Sequence, residues 1–370
     1  MKLRAFICIL LSLAMIVIFP LNCVALPQDN NLSVSAKSAI LIDLDEKNVL
    51  YQKNANERLP MASTTKIVTA LLVCELAKLD ATVKIPSEAV GVEGSSVYLC
   101  EGELLTVEEL LYALLLESAN DASVALAIFC SGSIQSFAQK CNEKAAALGL
   151  KNTNFTNPHG LFDENHYTTA HDLAILSAEA LKNPTVAKIC ATKRTQIRFG
   201  ATNDNPEGES VRYLKNHNKM LSSYDGAIGG KTGFTKVSGR CLISAAKRGE
   251  TTLIAVTLNA PDDWQDHTSM LDFGFANYER RLIFAAGEFN YAFPLSNASN
   301  DFINVTNLSP IYAFFKKGSF TYETEIHSCF RFAIAPVVRG QIMGKLYVTV
   351  GSKRYTSTLV FAESAAKKVK

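Results

Sequence analysis

Ala62-Ser63-Thr64-Thr65-Lys66-Ile67-Val68-Thr69-Ala70-Leu71-Leu72-Val73 opens a helical pattern that runs over 62–79. Pro60 stands just ahead of it, where proline suits a helix entry. Three residues apart on a helix, Ser63 and Lys66 share a face. A serine hydroxyl is a weak nucleophile until a neighbouring base takes its proton. Lysine is such a base only where burial or nearby positive charge disfavours its charged form. Taken alone the stretch decides little, because Ser-x-x-Lys also describes a helix cap followed by a solvated lysine.

Two distant segments change that reading. Ser118-Ala119-Asn120 interrupts an otherwise helical run over 107–130. A hydroxyl there can relay a proton, and Asn120 can hold Lys66 and a substrate amide by hydrogen bonds. Lys231-Thr232-Gly233 stands at a strand start behind Gly226, Gly229 and Gly230. A lysine and a threonine hydroxyl can grip an anion, and glycine lets a substrate backbone lie against the strand edge. Lys231 also supplies positive charge that disfavours a second cation at Lys66. Each segment alone reads as a cap or a turn. Together they give a nucleophile, its base, a bridging hydroxyl and an anion clamp.

Around these motifs, 36–51 reads as a hairpin of apolar runs about a polar turn. Helices follow over 136–148, ended by Gly149, and over 169–181, stopped at Asn183-Pro184. Strands are expected from Lys231, over 239–246 and over 252–258. The flanking strands could share one sheet with the helices packed on it. From about 279 no long helical period remains. Short strands are expected over 311–315, 330–335, 345–350 and 356–361, giving a small all-β domain over 279–370. Asn157-Pro158-His159-Gly160-Leu161 is a rigid turn in which His159 positions the loop.

The N-terminus reads as an export signal over 1–25: Lys2 and Arg4, an apolar run over 5–19, then Cys23-Val24-Ala25 as a small-x-small cleavage site. The catalytic domain is then expected over 26–278. A chain of 370 residues with 48% apolar residues, 19% charged residues and net charge +2 lacks the basic excess of a nucleic-acid binder. Of nine cysteines, those beyond the leader are scattered and suggest buried small side chains, not a disulfide framework. No metal-ligand spacing occurs, so no metal and no cofactor are expected.

With Ser-x-x-Lys, Ser-x-Asn and Lys-Thr-Gly in this order, the chain resembles the low-molecular-mass penicillin-binding proteins, serine-type D-alanyl-D-alanine carboxypeptidases of the peptidase S11 family. The resemblance runs from about Ser38 to Tyr278 and extends more loosely beyond. It includes His166-Tyr167-Thr168-Thr169-Ala170 and Gly229-Gly230-Lys231-Thr232-Gly233-Phe234-Thr235. The stretch Asn259-Ala260-Pro261-Asp262-Asp263-Trp264 is similar to the branch from Gram-positive spore-formers. The resemblance implies an α/β (α+β) fold: a penicillin-binding transpeptidase/β-lactamase-like catalytic domain followed by a β-sandwich. It implies Ser63, Lys66 and Ser118 as catalytic residues. Asn120, Lys231, Thr232, Gly233, Phe234 and Thr235 become substrate-binding, and the backbone N–H groups of Ser63 and Phe234 form an oxyanion hole. The implied partners are peptidoglycan stem peptides ending in D-Ala-D-Ala, with β-lactams as inhibitors.

Two departures stand out. Some relatives clamp the substrate carboxylate with an arginine after the strand that follows Lys-Thr-Gly, and none occurs here over 261–264. Relatives often end in an amphipathic membrane-surface helix, whereas the tail over 363–370 is basic and poor in large apolar residues. A secreted or loosely membrane- or wall-associated protein of the cell envelope is therefore expected. A D,D-endopeptidase, a β-lactamase and an inactive peptidoglycan-binding module remain the alternatives.

Overall fold

The structure, a computed structural model, describes residues 32–368. The expected leader, 1–25, lies outside the described residues. Strands β1 (Ser38–Asp43) and β2 (Val49–Lys53) form the expected antiparallel hairpin. Asp43 fixes its turn, accepting from the backbone N–H groups of Glu46 at 2.8 Å and Asn48 at 2.7 Å.

The decisive stretch is a 3-10 turn, Ala62–Thr65, followed by helix α1, Lys66–Leu76. This corrects the expectation of one helix over 62–79. Ala62 has φ of 47°, outside helical geometry, and Ala77 is extended. From Lys66 to Val73 every α1 residue is buried, as expected for a helix apolar on all sides. Around it lie α2 (Val107–Leu116), α3 (Asn120–Ser131), α4 (Ile134–Ala147), α5 (Ala170–Lys182) and α6 (Pro184–Ala191). A capping box of Thr106 and Glu109 starts α2. Pro184 was read as a stop and proves to be the first residue of α6. Asn183 Oδ1 caps that helix by accepting from Thr185 and Val186 N–H.

The short strands β3 (Thr82–Lys84) and β4 (Leu104–Thr106) pair with each other, as do β5 (Arg194–Phe199) and β6 (Ser210–Lys215). The main sheet is antiparallel with order β2-β1-β9-β8-β7, where β7 is Ala227–Thr235, β8 is Gly239–Arg248 and β9 is Thr251–Leu258. Its inner strands are covered on both faces. Ile40, Ile42, Ile243 and Ile254 join the core beneath the helix cluster. Their neighbours Ala39, Leu41, Leu253 and Ala255 pack on the other side with Met270, Leu271 and Phe275. That second face is made by α7, Asp263–Asn277, a helix the sequence reading missed. It lies so close to the sheet that a Cβ on Gly274 would stand 2.5 Å from Leu253 Cδ1.

From β10 (Tyr278–Phe284) onward only strands follow among the described residues. β10 pairs with β13 (Ile311–Lys316). A six-stranded sheet follows the order β14-β16-β17-β12-β11-β15. Its members are β11 (Asn290–Ser296), β12 (Phe302–Asn307), β14 (Glu323–Ser328), β15 (Ala333–Ile334), β16 (Ile342–Val350) and β17 (Lys353–Phe361). Phe293, Val305, Ile311, Leu346 and Phe361 fill its core. Of the strand expected over 330–335, only the two residues of β15 are laddered. Tyr278 stacks on Phe314 at 5.9 Å, and Tyr355 donates to Glu46 at 2.6 Å, tying the β1–β2 turn to the strand-rich region.

Candidate active site

The entry of α1, the α2–α3 junction and the edge strand β7 converge. Gly233 makes this possible: a Cβ there would stand 3.0 Å from the backbone nitrogens of both Ser63 and Thr64. Close backbone approach is therefore a second reason for this glycine, beside the strand-edge argument. Ala62 at φ 47° and Ser118 at φ 61° hold left-handed backbone on either side of the cleft. Such conformations persist where surrounding contacts over-determine them.

Lys66 Nζ lies 2.9 Å from Ser63 Oγ, 2.6 Å from Asn120 Oδ1 and 2.7 Å from the His159 carbonyl oxygen. Two of these neighbours are carbonyl oxygens that can only accept. In its neutral form the amine has two N–H donors and one lone pair; the two carbonyl oxygens then take both donors and leave the lone pair for Ser63 Oγ. Lys66 is fully buried. Burial, and then the charge of Lys231, push it well below the ordinary lysine range, while Asp121 opposes this. Lys231 is also buried, and burial brings it down to about 7. Its Nζ donates to Ser118 Oγ at 3.0 Å and to its own neighbour's carbonyl, Thr232 O, at 2.8 Å. The contacts thus form two groups, Ser63–Lys66–Asn120 and Lys231–Ser118, which meet at one cleft lined by Ser63 and Ser118.

A wall that sequence reasoning did not find supports Asn120. Asn120 Nδ2 donates to Glu93 O at 2.5 Å, and Asn120 N–H donates to Ser95 O at 2.7 Å. Buried Asp121 pins the same loop, accepting from Ser96 Oγ at 2.6 Å and from Val97 and Leu99 N–H at 3.1 Å. Behind it, Arg212 of β6 grips the buried Glu103 with both terminal nitrogens and donates to the carbonyls of Val97 and Tyr98. Removing one partner of such a buried pair costs about 3–5 kcal/mol.

His159 contributes through its backbone carbonyl, not its ring. Its Nδ1 accepts from Leu161 N–H at 3.2 Å, and burial, with Lys66 next, lowers it to about 3. This agrees with the loop-positioning role read from the sequence. His166 accepts from Thr156 N–H at Nδ1, so its Nε2 donates to Thr65 Oγ1 at 2.8 Å and braces the Ala62–Thr65 turn.

Ser63, Ser118, Thr232, Gly233 and Phe234 line a cleft of about 350 Å³. Thr232 Oγ has no hydrogen bond among the described residues. Thr235, by contrast, commits its hydroxyl to Ser238 at 2.8 Å in the β7–β8 turn. Ser95, His217 and Lys219 complete one wall; Arg240, Asp263 and Trp264 complete another. Arg240 sits opposite Phe234 in the β7–β8 ladder. Its Nε and Nη2 donate to Asp263 Oδ1 at 2.9 and 2.7 Å, and its guanidinium lies 5.6 Å from the Trp264 ring centre. The sequence stretch 261–264 has no arginine of its own; folding brings one to it from the adjacent strand. No group of His, Cys, Asp and Glu suited to a metal occurs among the described residues.

The D-alanyl-D-alanine carboxypeptidase family profile matches residues 25–262. The chain is 36% identical over 348 residues to the D-alanyl-D-alanine carboxypeptidase DacF of Bacillus subtilis, across 92% of this chain and 88% of that one. Its fold is similar to penicillin binding protein 5 from Haemophilus influenzae, with a TM-score of 0.68, 26% identity, and 90% and 98% of the two chains covered. The Streptomyces K15 DD-transpeptidase matches with a TM-score of 0.62 and 34% identity over 66% of this chain and 98% of its own.

Proposed function

We propose a residue-level mechanism for this chain, which belongs to the peptidase S11 family and is a penicillin-binding D-alanyl-D-alanine carboxypeptidase. The neutral Lys66 amine takes the Ser63 proton, and Ser63 Oγ attacks the carbonyl of the penultimate D-alanine. The N–H groups of Ser63 and Phe234 stabilise the developing oxyanion; the tight abutment of Gly233 on Ser63 supports this pairing. The C–N bond breaks, and the proton passes from Lys66 through the Ser118 hydroxyl to the departing D-alanine amine. Water then hydrolyses the Ser63 ester, with Lys66 as base, and frees the shortened stem. A β-lactam follows the same first step, but its leaving amine stays tethered and the ester persists.

The observation that carries this reading is the position of Lys66, whose Nζ is held by two carbonyl oxygens and lies 2.9 Å from Ser63 Oγ. Terminal carboxylate binding is assigned to Thr232, Lys231 and Arg240. Lys231, lowered to about 7, regains full charge when a carboxylate arrives beside it. Arg240 retains Nη1 for the substrate while Asp263 holds its other side. Loss of one charge-assisted hydrogen bond costs about 1.5–3 kcal/mol. Arg240→Gln should therefore raise KM for an acyl-D-Ala-D-Ala peptide about 10- to 150-fold, with kcat changed less than a few-fold. Steady-state kinetics checks this split; a fall in kcat with unchanged KM would remove Arg240 from carboxylate binding.

The protein is further assigned to the cell envelope. Support comes from Lys2 and Arg4, the apolar run over 5–19 and the small-x-small site ending at Ala25. Both assignments meet in one test. Protein recovered outside the cell should begin at Leu26, and benzylpenicillin should add its mass to the peptide containing Ser63. An adduct on another residue would overturn the nucleophile; a full-length chain held in the cytoplasm would overturn export.

A further inference from the structure

Residues 331–339 read Arg-Phe-Ala-Ile-Ala-Pro-Val-Val-Arg, and the segment is apolar on both faces. Ala333, Ala335 and Val337 enter the sandwich core. Between and beyond them, Phe332 is 51% exposed, Ile334 60% and Val338 63%. An edge strand normally turns charge or proline outward to prevent association. Here β15 is the edge of the six-stranded sheet; its one outward residue is Ile334, and Phe332 and Val338 stand exposed beyond its ends. Ile342, following in β16, is also 61% exposed.

Basic residues surround this surface. Arg331 and Arg339 bracket the segment. The tail returns alongside it: Val337 and Ala365 pair, Arg339 N–H donates to Ser364 Oγ, and Lys368 N–H donates to Asn297 O. Lys367 and Lys368 are thereby brought to the same end of the sandwich. None of these four cations makes an ion pair among the described residues, and all are exposed. The exposed carboxylate Glu363 lies on the same tail, four residues before Lys367, and already accepts from Asn304 N–H.

We propose that this end of the sandwich docks on an anionic lipid surface. Phe332, Ile334 and Val338 enter the headgroup region, where apolar side chains gain by leaving water. The basic residues meet lipid phosphates, each contributing attraction that salt screens. A second copy of the chain is a poorer occupant, because two such surfaces would bring like charges together. The inference extends the envelope assignment, yet lipid binding is measured independently of export. Failed export shows as an unprocessed chain, failed docking as absent vesicle binding.

The test uses exported protein whose N-terminus has been read by mass spectrometry, sedimented with vesicles of phosphatidylglycerol or of phosphatidylcholine. Phosphatidylglycerol should bind at least about tenfold better, and the difference should shrink as salt rises. The combined change Phe332→Ser, Ile334→Ser and Val338→Ser should reduce binding at least about tenfold. So should Gln at Arg331, Arg339, Lys367 and Lys368. Benzylpenicillin labelling of Ser63 and the thermal midpoint should stay unchanged in both variants, which reports intact folding. Equal binding by the variants, no preference between lipids, or no binding to phosphatidylglycerol would overturn the proposal. So would a dimer in light scattering that both variants abolish, since the surface would then serve self-association.

Discussion

Lys66→Ala is expected to lower the rate constant for acylation of Ser63 by benzylpenicillin by about a thousandfold or more, near the upper range for loss of a general base. Ser63 has its Lys66 neighbour at 2.9 Å, and among the described residues no second base is hydrogen-bonded to that oxygen. The pH dependence carries the sharper prediction. Acylation needs the neutral amine, whose fraction rises with pH and levels off above the Lys66 pKa. An ordinary lysine would keep the rate climbing to about pH 10. Because burial and Lys231 hold Lys66 well below that range, the wild-type rate should level off well before about pH 10. Stopped-flow or quenched labelling across pH checks both parts. Continued first-order rise with hydroxide up to pH 10 would show that Lys66 stays charged and is not the base.

Gly160→Ala is expected to be among the most damaging single-methyl changes in the protein. Gly160 has φ of 90°, and a Cβ there would sit 1.9 Å from Ala62 O and 2.9 Å from Thr65 Oγ1. Those atoms belong to the turn that presents Ser63. Left-handed backbone costs an alanine about 1–2 kcal/mol, and overpacking adds about 1–3 kcal/mol. At about 2–4 °C per kcal/mol for a large domain, the thermal midpoint should fall by several degrees. Displacing the turn to relieve the clash should also cut acylation about a hundredfold, the cost of a misplacement near one ångström. Gly149→Ala is the control: φ is 76°, with nothing within 4 Å of the added carbon. It should show only the backbone cost, with acylation unchanged. Equal behaviour of the two variants would remove the steric argument.

What could be read beforehand divides along a physical line. The roles proposed for Ser63, Lys66, Ser118, Asn120 and Lys231 rest on side chains, and their chemistry is visible wherever the chain carries them. The His159, Glu93 and Ser95 carbonyls are backbone contributions, which any residue type could make, and the abutment of Gly233 on Ser63 needs glycine but also a closeness that only the fold reveals. Asp121 lay beside Asn120 in plain sight, but its role depends on a loop whose path only the fold reveals. Arg240 was hidden because it reaches 263 across strands and not along the chain. The sheet and the central helices were legible from apolar runs, whereas α7 was not. Its Trp264, His267, Thr268 and Gly274 are poor helix formers, and close packing on Leu253 and Leu41 supplies what propensity lacks. The helix start at Lys66, four residues later than expected, follows from the left-handed Ala62, a conformation no pattern of polarity announces.

The most direct test of the account is release of free D-alanine from a diacetyl-Lys-D-Ala-D-Ala peptide by the exported protein, beside Ser63→Ala. Steady release by the wild-type enzyme, absent from the variant although it melts at the same temperature, is the predicted result. Undiminished release by Ser63→Ala would contradict the acyl-enzyme mechanism, and with it the assignment of Lys66 as the base that activates Ser63.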